Sequence, residues 1–124
     1  MSDAPYDQLE RCFHEPKRLA LVSALLGEAS QRLTFGELKE ACDLTDGNLN
    51  RHLKVLEEVG AISTEKVRLG TRPQTFVTLT SRGRADFLEY LKSLEAVLKQ
   101  AEQAAQSTRR KSAGPEGQAS FRTA

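Results

Sequence analysis

At 124 residues, 39% hydrophobic and 28% charged, the sequence has room for one domain around one modest core, with a composition ordinary for a soluble globular protein. Its formal net charge of +1 falls short of the strongly basic footprint common among nucleic-acid binders. No run of about 18 apolar residues occurs, which excludes a membrane-spanning helix, and the polar, acidic start Met1–Asp7 is not a secretory leader, so the cytoplasm is the expected location.

In chain order, Leu9, Cys12 and Phe13 predict a short helical segment. Pro16 stands where the first turn of a helix tolerates proline, and Lys17 to Gly27 follows as a strongly apolar helix. Leu19, Val22 and Leu26 take one face and Leu21 and Leu25 a neighbouring one, a stripe wide enough to bury against more than one partner. Thr34 and Glu37 form a capping box for a helix from Phe35 to Cys42 that buries Phe35, Leu38 and Ala41. After the tight connection Asp43-Leu44, Thr45 caps a third helix running through Val59, with Gly60 as its left-handed stop.

From Ala61 the period changes. Ala61 to Leu69 is rich in Ile, Thr and Val, Thr75 to Leu79 is a short strand, and Gly70-Thr71-Arg72-Pro73 between them carries turn chemistry. This predicts a β-hairpin with a polar, basic tip. Thr80 caps a long final helix in which Phe87, Leu91, Leu94, Leu98, Ala101 and Ala105 recur at alternating steps of four and three, a heptad seam. The apolar pattern ends at Gln106, so residues 1–106 form the expected domain and 107–124, rich in Ser, Gly, Arg and Gln, a disordered tail.

The small net charge hides an asymmetry. Residues 1–44 hold five Lys/Arg against eight Asp/Glu, whereas residues 45–84 hold seven against four. The middle third is therefore the part most attractive to phosphate. With Leu49, Leu53 and Leu56 turned inward, at about 100° per residue, Gly47, Arg51, Lys54 and Glu58 fall on the opposite side of the third helix, flanked by Asn48 and Asn50. Arg suits guanine, Asn suits adenine and Lys neutralises phosphate, while Gly47 allows close backbone approach and the amides near Thr45 suit a phosphate. Asp46, Glu57 and Glu58 repel phosphate, the last two from the far end of the helix, which favours insertion by its N-terminal turns. Lys66, Arg68 and Arg72 lie on the hairpin, with Thr71 in its turn. Helix, short helix, tight turn, longer helix, hairpin and long helix is the order of a winged helix-turn-helix: mainly α with a small β-hairpin, an α+β chain whose long C-terminal helix carries the heptad seam of a candidate dimerisation helix.

Phe35-Gly36-Glu37-Leu38, Leu44-Thr45-Asp46-Gly47-Asn48-Leu49-Asn50-Arg51-His52-Leu53, Leu56-Glu57-Glu58-Val59-Gly60, Arg72-Pro73-Gln74-Thr75 and Leu79-Thr80-Ser81-Arg82-Gly83-Arg84 together resemble the small winged-helix transcriptional regulators related to the MarR and ArsR families. The resemblance covers roughly residues 8–100. It implies a dimeric regulator whose terminal helices pair the subunits, whose helix from Thr45 reads the major groove, and whose loop around Arg72 is the wing. Metal-sensing relatives carry paired cysteines on an early helix or a carboxylate-histidine set on the last. Here Cys42 stands alone and the last helix holds no histidine, so no metal is expected.

Other chemistry finds little support. Cys12 and Cys42, with no C-x-x-C spacing, are expected to be reduced, buried thiols, and His52 a partly buried packing residue. Cys12 near His14 lacks a third catalytic partner, and no Gly-rich phosphate loop, G-x-S-x-G or H-E-x-x-H motif occurs, so neither an enzyme nor a cofactor is expected. The expected DNA-contacting residues are Thr45, Gly47, Asn48, Asn50, Arg51, Lys54, Lys66, Arg68, Thr71 and Arg72, and the expected dimer contacts Leu91, Leu94, Leu98 and Ala101. The leading expectation is a homodimer on double-stranded DNA, with an unidentified small-molecule effector left open. The alternative is a winged-helix protein–protein interaction module without specific DNA binding.

Overall fold

A computed structural model describes residues 5–112, and the side-chain surroundings of residues 10–109 except residue 69. Its elements are α1 (Pro5–His14), α2 (Pro16–Leu26), β1 (Arg32–Thr34), α3 (Phe35–Cys42), α4 (Asp46–Glu58), β2 (Ile62–Leu69), β3 (Arg72–Leu79) and α5 (Ser81–Ser112). The chain divides into two units, Met1–Tyr90 and Leu91–Ala124. The first is a mainly helical body closed by a small antiparallel sheet of order β1-β3-β2.

Local signals set most of the boundaries. Pro16 occupies the first turn of α2, and the Glu15 carboxylate accepts from the Arg18 N–H at 2.9 Å. Thr34 and Glu37 form the reciprocal capping box of α3, with bonds of 3.1 and 2.9 Å. Asp43 ends α3 in the left-handed region at φ 55°, a conformation that Asp tolerates better than most residues. Thr45 caps α4 by accepting from the Asn48 N–H at 3.2 Å. At the other end of α4, Gly60 takes φ 80° while Ala61 N–H bonds Leu56 O and Gly60 N–H bonds Glu57 O, the paired bonds of a Schellman stop.

The core joins Phe13 of α1, Leu21, Val22 and Leu25 of α2, Leu38 of α3, and Leu49, Leu53 and Leu56 of α4. Ala61, Ile62, Val77 and Leu79 close it from the sheet, and Phe87 and Tyr90 from α5. Phe13 meets Phe87 edge-on at 5.1 Å between ring centroids, and Tyr90 lies 5.7 Å from Phe13. The α3 face is rotated from expectation: Cys42 is buried, Phe35 half-buried and Ala41 exposed. On α2, Leu21, Val22 and Leu25 are fully buried, whereas Leu19 and Leu26 are only partly so.

There are three further departures, and the first two follow from strand pairing. Residues 32–34, three in all, form a strand because β3 offers them partners at 76–78. The hairpin turn is only Gly70-Thr71, so Arg72 and Pro73 belong to β3. Positive φ at Gly70 alone (66°) is the pattern of a type II′ turn. Pro73 interrupts nothing, because β1 reaches only residues 76–78 and leaves that end of β3 an edge. Finally, α5 continues through Ser112, past the expected end at Gln106. The helix outlasts its apolar stripe, because exposed polar residues such as Gln106 and Arg109 continue a helix without burying anything. The rest of the expected tail, residues 113–124, lies outside the described residues.

Gly83 anchors α5 beside Ala61, just before the start of β2. The Thr80 hydroxyl accepts from Gly83 N–H at 2.8 Å, and a Cβ on Gly83 would overlap the Ala61 carbonyl oxygen. Alanine normally stabilises a helix interior relative to glycine by about 1 kcal/mol. Here the backbone overlap reverses the sign, and Gly83→Ala should lower unfolding free energy by about 2–3 kcal/mol in urea titrations. Gly36→Ala, with nothing within 4 Å of its Cβ, should leave stability unchanged or slightly raised. A stabilised Gly83→Ala protein would contradict this packing.

Candidate nucleic-acid interface

The tight turn between α3 and α4 fixes where α4 points. Leu44 N–H bonds Lys39 O at 3.1 Å, and Lys17 Nζ donates to Cys42 O at 3.1 Å, satisfying a terminal carbonyl of α3. Lys39 pairs with Asp46 at 2.9 Å across the turn, which also offsets the acidic charge at the start of α4. Leu49, His52, Leu53 and Leu56 face the core. Gly47, Asn48, Asn50, Arg51 and Lys54 are all exposed on the other side, together with Thr45 at the cap. Arg51 Nη2 donates to Asn48 Oδ1 at 3.0 Å, so these two side chains are already aligned along the helix. The Asn48 amide is occupied by Thr45, and this N–H is not free for a phosphate.

Strand register decides where the hairpin cations lie. Thr64 pairs with Val77, Lys66 with Thr75 and Arg68 with Pro73, and directly opposed residues share a face. Because Val77 is buried, Lys66 and Arg68 extend the core-side face outward toward the hairpin tip. Arg72 pairs with Leu69 and has the opposite parity, so the three cations are split between two faces rather than clustered on one. That second face also carries Glu65, bonded to Arg32 at 3.3 Å, and Phe76, whose ring lies 4.1 Å below the Arg32 guanidinium.

Between α4 and the hairpin lies a groove of about 540 Å³ with Phe35 and Leu53 among its lining residues. It brings Asn50 and Lys54 of α4 together with Lys66 and Thr75 of the hairpin. Glu57 and Thr64 also line it; the sequence marks Glu57 as repelling phosphate but assigns neither residue to a groove, and the i to i+3 spacing from Lys54 and the two-residue spacing to Lys66 are the available signals. Thr71 and Arg72 are exposed at the tip but are not among the groove residues.

Beneath α4 sits a polar bracket. Arg18 donates from Nε to Cys12 O at 2.8 Å, and its Nη1 lies 3.2 Å from His52 Nδ1. A guanidinium has no acceptor, so this contact is a hydrogen bond only when His52 Nδ1 carries no proton. Burial lowers the His52 pKa from its ordinary value, and the charges of Arg18, Arg51 and Lys17 act in the same sense against the opposing pull of Glu15, 4.0 Å away. Partial burial pushes Glu15 up, yet its bonds from the Arg18 and Lys17 backbone and the nearby positive charges outweigh this and hold it below the usual range. Both cysteines are free and buried. Burial raises their thiol pKa values despite the opposing charges of Arg18 near Cys12 and Lys17 near Cys42, which disfavours the reactive thiolate. Among the described residues, no group of three or more His, Cys, Asp or Glu side chains is placed to hold a metal ion, and no helix is long and apolar enough to cross a membrane.

This geometry has relatives. A model of the winged helix DNA-binding domain family matches residues 17–98. The uncharacterized protein MJ0432 of Methanocaldococcus jannaschii is 37% identical over 81 residues, covering 65% of this chain and 86% of that one. A transcriptional regulator homologue from Pyrococcus horikoshii superposes with a TM-score of 0.67 at 34% identity, covering 73% of this chain and 88% of that one. The transcriptional repressor BigR from Xylella fastidiosa gives 0.54 at 28% identity, over 70% of this chain and 82% of that one. Solved MarR- and ArsR-family transcriptional regulators share the fold at 20% and 17% identity.

The bracket under α4 makes stability depend on pH. The unfolded chain protonates His52 near its ordinary value of 6.5, whereas the folded chain resists protonation until lower pH. The stabilisation is therefore complete above that value and is lost as pH falls through and below it. Urea midpoints should drop between about pH 7.5 and 5.5, and His52→Asn should flatten that drop. An equal drop in the variant would rule out His52 as its source.

Proposed function

This chain belongs to the winged helix DNA-binding domain family, and from that premise we propose that it is a transcription regulator that binds double-stranded DNA sequence-specifically as a homodimer. The observation that carries the reading is the coincidence of two surfaces. Asn50 and Lys54, on the exposed side of α4 that also carries Gly47, Asn48 and Arg51, line the same groove as Lys66 on the hairpin.

In this reading the N-terminal turns of α4 enter the major groove. Arg51 and Asn48 contact base edges, Asn50 flanks them, and Gly47 allows the helix to approach closely. Lys54, Lys66 and Arg68 lie along phosphates, while Thr71 and Arg72 at the hairpin tip reach the backbone or the minor groove. One recognition helix makes few contacts, so affinity calls for two. Leu91, Leu94, Leu98 and Ala101 supply the seam between subunits; Leu98 is 56% exposed and its neighbour Val97 59%, which leaves apolar area for a second copy to bury. In this reading the protein works in the cytoplasm.

Arg51→Ala should cost about 1–3 kcal/mol of binding to a selected site and relax base preference there. Lys66→Ala should weaken binding to all sequences and lower the slope of log affinity against log salt by up to about 0.9. Both are read by fluorescence anisotropy on labelled duplexes. Unchanged affinity in both variants would move the interface elsewhere. A wild-type protein with neither salt-dependent affinity nor sequence preference would favour a protein–protein interaction module instead.

Leu98→Glu tests the assembly. It should convert a dimer to a monomer in sedimentation equilibrium and reduce affinity for a two-half-site duplex by at least about tenfold. A dimer of unchanged strength would exclude this seam.

A further inference from the structure

The groove between α4 and the hairpin contains a carboxylate that the DNA reading does not use. Glu57 lines it beside Lys54 and Lys66, and Glu57 Oε2 accepts from the Thr64 hydroxyl at 3.1 Å. A hydroxyl orients a carboxylate but leaves its charge in place. Other acids nearby are compensated: Asp46 by Lys39 at 2.9 Å, and Glu65 by Arg32 at 3.3 Å on the far face of the sheet. Among the described residues, Glu57 forms no ion pair with a lysine or arginine.

In the free protein this charge is exposed and screened by water and salt. Entry of a phosphate chain displaces that water and strengthens every charge interaction in the groove. The attraction of Lys54 and Lys66 then acts against the repulsion of a carboxylate that is tethered in place.

Resting on the DNA reading, we infer that Glu57 is a brake on sequence-independent binding, a fixed negative charge that holds phosphate affinity in this groove below what Lys54 and Lys66 would otherwise give. Such a brake has a functional consequence. A regulator competes with itself across a vast excess of unrelated DNA, and a weaker phosphate contribution leaves more protein free to find base-specific sites.

The test uses the full-length protein, a random-sequence duplex, and anisotropy titrations between about 0.05 and 0.3 M salt. Glu57→Gln keeps the shape and an acceptor for Thr64 but removes the charge. Affinity should rise about three- to eightfold near 0.1 M salt, and the log–log slope should steepen by up to about 0.9. Glu58→Gln removes the same charge one residue along, from an exposed side chain that is not a groove residue. It should have less than half the effect. Lys54→Ala should weaken binding. If Lys54→Ala weakens binding while Glu57→Gln matches wild type, or Glu58→Gln matches Glu57→Gln, the brake is wrong and the groove still stands. If the wild-type protein shows no salt-dependent binding, the DNA reading fails and the brake fails with it.

Discussion

Arg18 ties three helices together, and the position of α4 depends on it. Its backbone N–H binds the Glu15 carboxylate that starts α2, its Nε holds the Cys12 carbonyl near the end of α1, and its Nη1 meets His52 on the inner face of α4. Only the neutral imidazole can accept that last bond. Lys17, one residue earlier, reaches the Cys42 carbonyl at the end of α3. The first turn of α2 thus bonds to all three neighbouring helices. The apolar contacts of Leu49, Leu53 and Leu56 supply the burial, but such contacts tolerate sliding; directed hydrogen bonds fix the angle at which the outer face of α4 is presented.

That angle matters because the hairpin is positioned by independent means. The register of β2 on β3, set by the two-residue turn Gly70-Thr71, places Lys66 and Arg68 on the core-side face, and the Thr64–Glu57 bond ties this strand to α4. Helix and hairpin together form one groove whose charge is a balance rather than a basic sheet. Lys54 and Lys66 face Glu57 there, so the small formal net charge of +1 has a local counterpart in this groove.

What could be read from the sequence was local. Thr34 with Glu37, Thr45 and Gly60 are boundary signals complete within a few residues, and each stands where expected. Leu49, Leu53 and Leu56 divide α4 into an inner and an outer side by periodicity alone, which also placed Arg51 and Lys54 outward. The rest required partners distant in sequence. Residues 32–34 become a strand only because β3 lies beside them. Lys66, Arg68 and Arg72 look like one cluster until the register assigns their faces, and nothing near Arg18 indicates His52, 34 positions later. In the eight-residue α3, one position of rotation exchanges Ala41 for Cys42. The end of α5 is not legible in the pattern because apolar periodicity reports what a helix buries, and its last turns are exposed through residue 109.

The central claim is that the outer side of α4 and the core-side face of the hairpin form one surface that reads a duplex, twice over in a dimer. Selection of bound duplexes from a random pool with the full-length protein tests it most directly. The account predicts enrichment of a pseudo-palindrome whose half-sites are centred about one helical turn, roughly 10 base pairs, or a multiple of it apart. A pool that is retained but never converges on a sequence would contradict it.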